Sequence, residues 1–199
     1  MMARARRALA MPAVEVSVQN PVRHMAFWIS LASLVPALAL PAQEGNMQLT
    51  SPDFTHGGEI PAQFTCQGKD LAPALHWQDV PKSAKSLVLI VDDPDAPDPQ
   101  APKMTWVHEV MVDVPPSATG LAQGHALPSG ARFGLNDWKK PAWGGPCPPI
   151  GRHRYYFKLY AVDVALSLPP RPTKPDVLAA MKGHIVAETV LMGTYQKHP

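Results

Sequence analysis

The sequence predicts a mainly β domain, a sandwich or barrel, on three observations. Apolar or alternating runs recur at residues 75–80, 87–91, 106–114, 155–164 and 186–195, with weaker ones at 47–50 and 131–134. The runs are short and separated by Pro, Gly and Asp. The 24 prolines, roughly twice the usual frequency of about 5%, are dispersed between the runs, which marks many loops and not a disordered tract.

In chain order, the weak run at 47–50 comes first, followed by 75–80. The apolar run 87–91 stops at Asp92-Asp93-Pro94-Asp95-Ala96-Pro97, where two prolines end the strand and stiffen an acidic turn. The strand at 106–114 carries His108, and 131–134 is a second weak candidate. Next comes Gly144-Gly145-Pro146-Cys147-Pro148-Pro149-Ile150-Gly151, a loop of permissive glycines and stiff prolines that delivers His153, Arg154 and Tyr155 into the strand 155–164. In that strand Tyr155, Phe157, Leu159 and Ala161 form a continuous apolar face, and Tyr156, Lys158, Tyr160 and Val162 a mixed one. One helix is predicted: Thr173 caps it, Pro175 sits in the first turn, and Asp176 suits the positive end of the dipole. Val177, Leu178 and Met181 make its apolar face up to Gly183. It is expected to pack against the sheet edge. The last run, 186–195, closes the domain.

Residues 1–42 differ in kind. Arg4, Arg6, Arg7 and Arg23 precede an uncharged run, 26–40, broken only by Pro36. A basic flank and an apolar stretch shorter than the ~20 residues of a span read as a cleaved export leader. Ala37-Leu38-Ala39 is the better cleavage signal, cleavage after Ala42 places Leu40 at the minus-three position, and Met11 and Met25 are alternative starts. An uncleaved anchor is the rival reading. The expectation is a single domain, residues 43–199, in the periplasm or secreted, with no transmembrane span after processing. That domain keeps 14 Lys+Arg against 15 Asp+Glu, so no basic stripe remains to support nucleic-acid binding. In an exported chain the isolated pair Cys66 and Cys147 reads as a disulfide. The competing reading, a catalytic thiol, requires a lowered pKa and a positioned base.

Hydrolytic chemistry finds little support. His108-Glu109 starts like a zinc-protease motif but lacks the second His, and Asp93, Asp95 and Asp98 lack the Gly and terminal Glu of a calcium loop. No Gly-x-Ser-x-Gly is present, and Ser129-Gly130 reads as a turn. Anion recognition fits better: His108 and His153 stand beside the two stiff loops, and Asp93 can fix an imidazole tautomer. Pro146, Pro148 and Pro149 have no N–H, so backbone donation falls to Gly145, Cys147, Ile150 or Gly151, with the Tyr155 hydroxyl beside them. His56, His76, His125, His184 and His198 read as structural. Arg154, between His153 and Tyr155, points away and reads as an ion-pair partner.

These residues resemble the phosphatidylethanolamine-binding protein (PEBP) family, in particular its bacterial Raf kinase inhibitor-like branch. The resemblance runs over about residues 47–195 and rests on Asp93-Pro94-Asp95-Ala96-Pro97, Trp106-x-His108, Gly145-Pro146-Cys147-Pro148-Pro149-x-Gly151 and His153-Arg154-Tyr155. It implies a Greek-key β-sandwich with one or two short peripheral helices and a small cavity for phosphate-like groups, including phosphoethanolamine head groups. It also implies that Asp93, His108, His153 and Tyr155 line the cavity, that Gly145 and Pro149 contribute to ligand contact, and that Asp95, Pro97 and Trp106 support the wall. The implied function is a non-enzymatic binding protein, with no catalytic residue, metal or cofactor, for a phosphoryl-containing small molecule or lipid head group. The alternative is a protein–protein regulator of a kinase or protease acting through the rim. Two departures stand out. Glu109 replaces a usual Trp, and at the mouth it would disfavour anions; Ala72 replaces a usual Ser.

Overall fold

The computed structural model describes residues 46–198. The expected leader, residues 1–42, lies outside the described residues, and so does the start of the 43–199 domain. Among the described residues no helix is long and apolar enough to cross a membrane.

Among the described residues, eight strands form two sheets. β1 (Gln48–Thr50), β2 (Leu75–Gln78) and β5 (Gly120–Leu121) make the smaller, in the order β1-β2-β5. β3 (Ser86–Asp93), β4 (Trp106–Val114), β6 (Arg132–Phe133), β7 (Arg152–Val162) and β8 (Ile185–Gln196) make the larger, in the order β6-β4-β3-β7-β8. Paired strands are antiparallel. After β4 the chain visits the smaller sheet and returns to lay β7 on the free side of β3, a Greek-key return. This is the mainly β, two-sheet architecture expected. Only β5, two residues long, was not foreseen.

β3 is buried at all eight positions because it is covered on both faces. Leu87, Leu89 and Val91 face the smaller sheet with Leu75, Trp77, Met111, Phe157 and Leu159. Val88 and Ile90 face the other way, into a second core with Val110, Val112, Val162, Val177 and Met181. The last two come from the helix α1 (Lys174–Met181), which therefore covers a sheet face and not the expected edge. The Thr173 N–H and hydroxyl both donate to Asp176 Oδ2, at 2.9 and 2.6 Å, closing the first turn. Leu178, expected on the apolar stripe, is 41% exposed; Val177 and Met181, four apart, suffice to make the contact.

The register of the larger sheet brings distant residues together. Asp93 pairs with Trp106, and Asp92 pairs with Val107 on one side and Tyr156 on the other, so the ends of β3, β4 and β7 meet. Along β4, Val91 pairs with Glu109 but Asp92 with Val107, leaving His108 as an inserted residue. This β-bulge turns two consecutive side chains, His108 and Glu109, to the sandwich side.

Candidate functional site

At the meeting of those strand ends lies a cavity of about 490 Å³, lined among others by Asp93, Pro97, Trp106, His108, Pro149, His153 and Tyr155. The three carboxylates of the acidic turn go separate ways. Asp92 is fully buried on the outer face, where Lys158 approaches at 2.8 Å and Lys174 at 2.5 Å. Asp93 accepts from the Asp95 N–H at 2.8 Å and faces His153 Nδ1 at 2.7 Å. Asp95 takes Arg154 side-on, Nε at 2.9 Å and Nη2 at 2.6 Å, and that guanidinium holds its carboxyl below the usual range against the cost of burial. Arg154 thus faces away from the cavity as an ion-pair partner. None of the three acids is left to bind a cation.

The two imidazoles are not equivalent. His153 has Asp93 at Nδ1 and the Ile150 carbonyl at Nε2, 3.0 Å away, and so it offers no nitrogen to a ligand. The expectation that it clamps an anion beside His108 is corrected on this point; it is an anchor stacked against Tyr155, with ring centroids 6.4 Å apart. His108 Nδ1 donates to the Gly144 carbonyl at 2.5 Å. Its Nε2 makes no hydrogen bond among the described residues and is the free imidazole nitrogen of the cavity. Burial holds this imidazole below its ordinary pKa despite the Gly144 carbonyl and Asp93, so the ring is neutral at pH 7 and Nε2 carries a lone pair.

Two further groups complete the floor. The Tyr155 hydroxyl and the Trp106 Nε1–H are buried without a protein partner. Burial, with Asp93 and Asp95 nearby, pushes the Tyr155 phenol well above its ordinary pKa, so it remains a hydrogen-bond donor. Unpaired buried donors are rare, because each costs roughly 1–3 kcal/mol. Both residues that carry them line the cavity.

The Gly/Pro loop works differently from expectation. The Gly145 N–H donates to Asp70 Oδ1 at 2.7 Å and is not available to a ligand. A Cβ there would stand 2.3 Å from that oxygen and 2.5 Å from the Phe64 carbonyl, so the glycine serves close packing of backbone against protein. Cys147 and Pro149 form cavity wall, and Cys147 is bonded to Cys66 across 81 residues of sequence, with Cα atoms 5.4 Å apart. Glu109 is not at the mouth: its side chain is fully buried against His125. Trp138, Met104 and Lys103 also line the cavity and were missed. The signal for Trp138 was an aromatic residue stranded in the polar stretch Asn136-Asp137-Trp138-Lys139-Lys140, with no strand to bury it. Asp137 pins that stretch to β4 through the Val107 N–H at 2.7 Å.

A two-sheet domain with such a cavity at its central strand ends has the architecture of a binding protein. Residues 50–196 match the phosphatidylethanolamine-binding protein family. A UPF0098 protein of Methanothermobacter thermautotrophicus is 44% identical over 155 residues, covering 76% of this chain and 99% of that protein. One from Chlamydia trachomatis is 46% identical over 151 residues, with the same coverage. Among solved structures, a phosphatidylethanolamine-binding protein homolog from Chlamydia trachomatis superposes with a TM-score of 0.72 at 45% identity, covering 77% of this chain and 99% of that one. YbcL of E. coli, described as a member of the mammalian PEBP family, gives 0.69 at 27% identity, covering 77% and 100%. The chain belongs to the phosphatidylethanolamine-binding protein family, and it is a binding protein and not an enzyme.

Proposed function

We propose that the cavity takes a phosphoryl or carboxylate anion, of which phosphoethanolamine is the model ligand, and that the protein acts outside the cytoplasm, in the periplasm or secreted. The observation that carries this reading is the trio of groups without protein partners on one floor: Tyr155 O–H, Trp106 Nε1–H and His108 Nε2. The first two donate to ligand oxygens. The third accepts from a protonated phosphoryl oxygen, or donates once the ring itself is protonated. Around this floor Met104 and Trp138, 52% and 40% exposed, supply an apolar rim suited to a small body carrying the anion.

Because His108 is neutral in the free protein at pH 7, a fully charged anion binds together with a proton, and affinity falls as pH rises. Calorimetric titration with phosphoethanolamine at pH 6 and pH 8 tests this, with sulfate as an anion that does not titrate in the range. Stronger binding of both at pH 6, and proton uptake measured from the buffer dependence of the heat, are expected. A folded protein that binds neither anion at either pH overturns the reading. The exposed rim also favours a second one, a regulator that docks a protease or kinase on Met104 and Trp138; partner binding that survives Tyr155→Phe but fails in Trp138→Ala distinguishes it.

A further inference from the structure

One buried ionic couple takes no part in the site described above. Glu109 on β4 and His125, in the connection between β5 and β6, have side chains with no solvent exposure. His125 Nδ1 lies 3.0 Å from both Glu109 oxygens, and Nε2 lies 2.8 Å from the Pro73 carbonyl. We propose that this couple is a positioning device for His108: it locks the β4 bulge in the register that presents the His108 ring to the cavity. The inference rests on reading that cavity as an anion site.

The argument begins with the bulge. His108 and Glu109 are consecutive, and in a regular strand they would face opposite sides of the sheet. Only the inserted residue lets Glu109 enter the core while His108 meets Tyr155, at 5.1 Å between ring centroids. A carboxylate inside a core is strongly disfavoured without a partner, and a one-residue slip of β4 would expel it, at the expense of carrying His108 off the cavity face. His125 removes that incentive.

His125 is itself fixed by backbone. Its N–H donates to the Ala122 carbonyl at 3.0 Å, the preceding Gly124 N–H donates to the Ala72 carbonyl at 2.8 Å, and both residues have positive φ, +45° and +78°. The groups facing its ring are the Glu109 carboxylate from β4, the Pro73 carbonyl from the segment before β2, and the uncharged Trp143 ring from the loop before β7. Burial alone would lower the His125 pKa, but Glu109 and the Pro73 carbonyl outweigh it and raise it, so the fold favours the protonated ring beside Glu109. Trp143 stands 6.3 Å from the rings of both His125 and His108, and so one aromatic ring packs against the couple and against the imidazole of the cavity.

The experiment uses two readouts: calorimetry with phosphoethanolamine at pH 6, and the His108 Nδ1–H resonance, protected by the Gly144 carbonyl, in the ligand-free protein. Glu109→Gln keeps an acceptor for His125 and is expected to bind within about twofold of wild type, the cost of a change that leaves every hydrogen-bonded pair occupied. Glu109→Leu/His125→Asn removes the couple, and Asn tolerates the positive φ. This variant is expected to melt cooperatively, to bind about tenfold more weakly or worse, and to lose the His108 resonance. A folded double variant with wild-type affinity and an intact resonance overturns the proposal. If the double variant does not fold, His125→Asn alone decides on the same readouts, loss of both supporting the proposal and retention of both overturning it. Absence of phosphoethanolamine binding in the wild type would count against the anion reading alone, since the resonance is read without ligand.

Discussion

Tyr155 concentrates the chemistry of the site in one atom. Its hydroxyl is buried and unpaired among the described residues, so Tyr155→Phe removes a desolvation cost together with the proposed ligand contact. The expected outcome is an unchanged or higher melting temperature with about a tenfold loss of anion affinity, read by thermal unfolding and calorimetry on the same sample. Residue roles were legible where alternation along a strand decides them. The outward turn of Arg154 toward Asp95 and the inward turn of His153 and Tyr155 follow from period two. The occupation of His153 Nε2 by the Ile150 carbonyl, and of the Gly145 N–H by Asp70, was not legible. Those contacts depend on loop conformation and on partners far away in sequence, and residue types alone do not report them.

Among the elements, long runs announced themselves, the short β1 and β6 gave weak signals, and β5 gave none. The apolar stretch of β3 and the alternation of β7 mark strands from local sequence. β5 and β6, two residues each, exist because a neighbouring strand offers its edge, and nothing in Gly120-Leu121 prefers that state. The bulge at His108 was equally hidden, being a property of the pairing with β3. The Gly/Pro loop is the element on which the site leans most: its Gly144 and Ile150 carbonyls hold the two imidazoles, and its Cys147 ties it to Cys66. Closing so long a loop contributes roughly 4 kcal/mol in the chain-entropy picture. Cys66→Ser/Cys147→Ser is therefore expected to lower stability by an amount of that order and to weaken anion binding as well. A variant that loses stability but keeps its affinity would show the carbonyls are held by the remaining backbone bonds alone.

At the scale of the whole molecule, two ionic contacts, one buried and one half-exposed, set the response to pH in opposite directions. Arg154 lowers the folded pKa of Asp95, so that contact stabilises above the unfolded value of about 3.9 and is lost as pH falls. His125 has a raised folded pKa, so its contact with Glu109 is fully present below about 6.5, the unfolded value, and is lost as pH rises through the folded one. Thermal melts across pH 3 to 10 are expected to show a maximum in the weakly acidic range. In Glu109→Gln the alkaline decline should flatten; an unchanged alkaline limb would place the loss elsewhere.

The order in which the larger sheet is threaded also bears on time. β3 lies between β4, its neighbour in sequence, and β7, which arrives some sixty residues later, so the floor of the cavity has no existence until the last third of the chain has docked. A ligand therefore meets a finished protein and has nothing to grip on the way there. Stopped-flow refolding with saturating phosphoethanolamine is expected to proceed at the unliganded rate while unfolding slows in proportion to occupancy. Such a ligand would lengthen the life of the native molecule without hastening its birth.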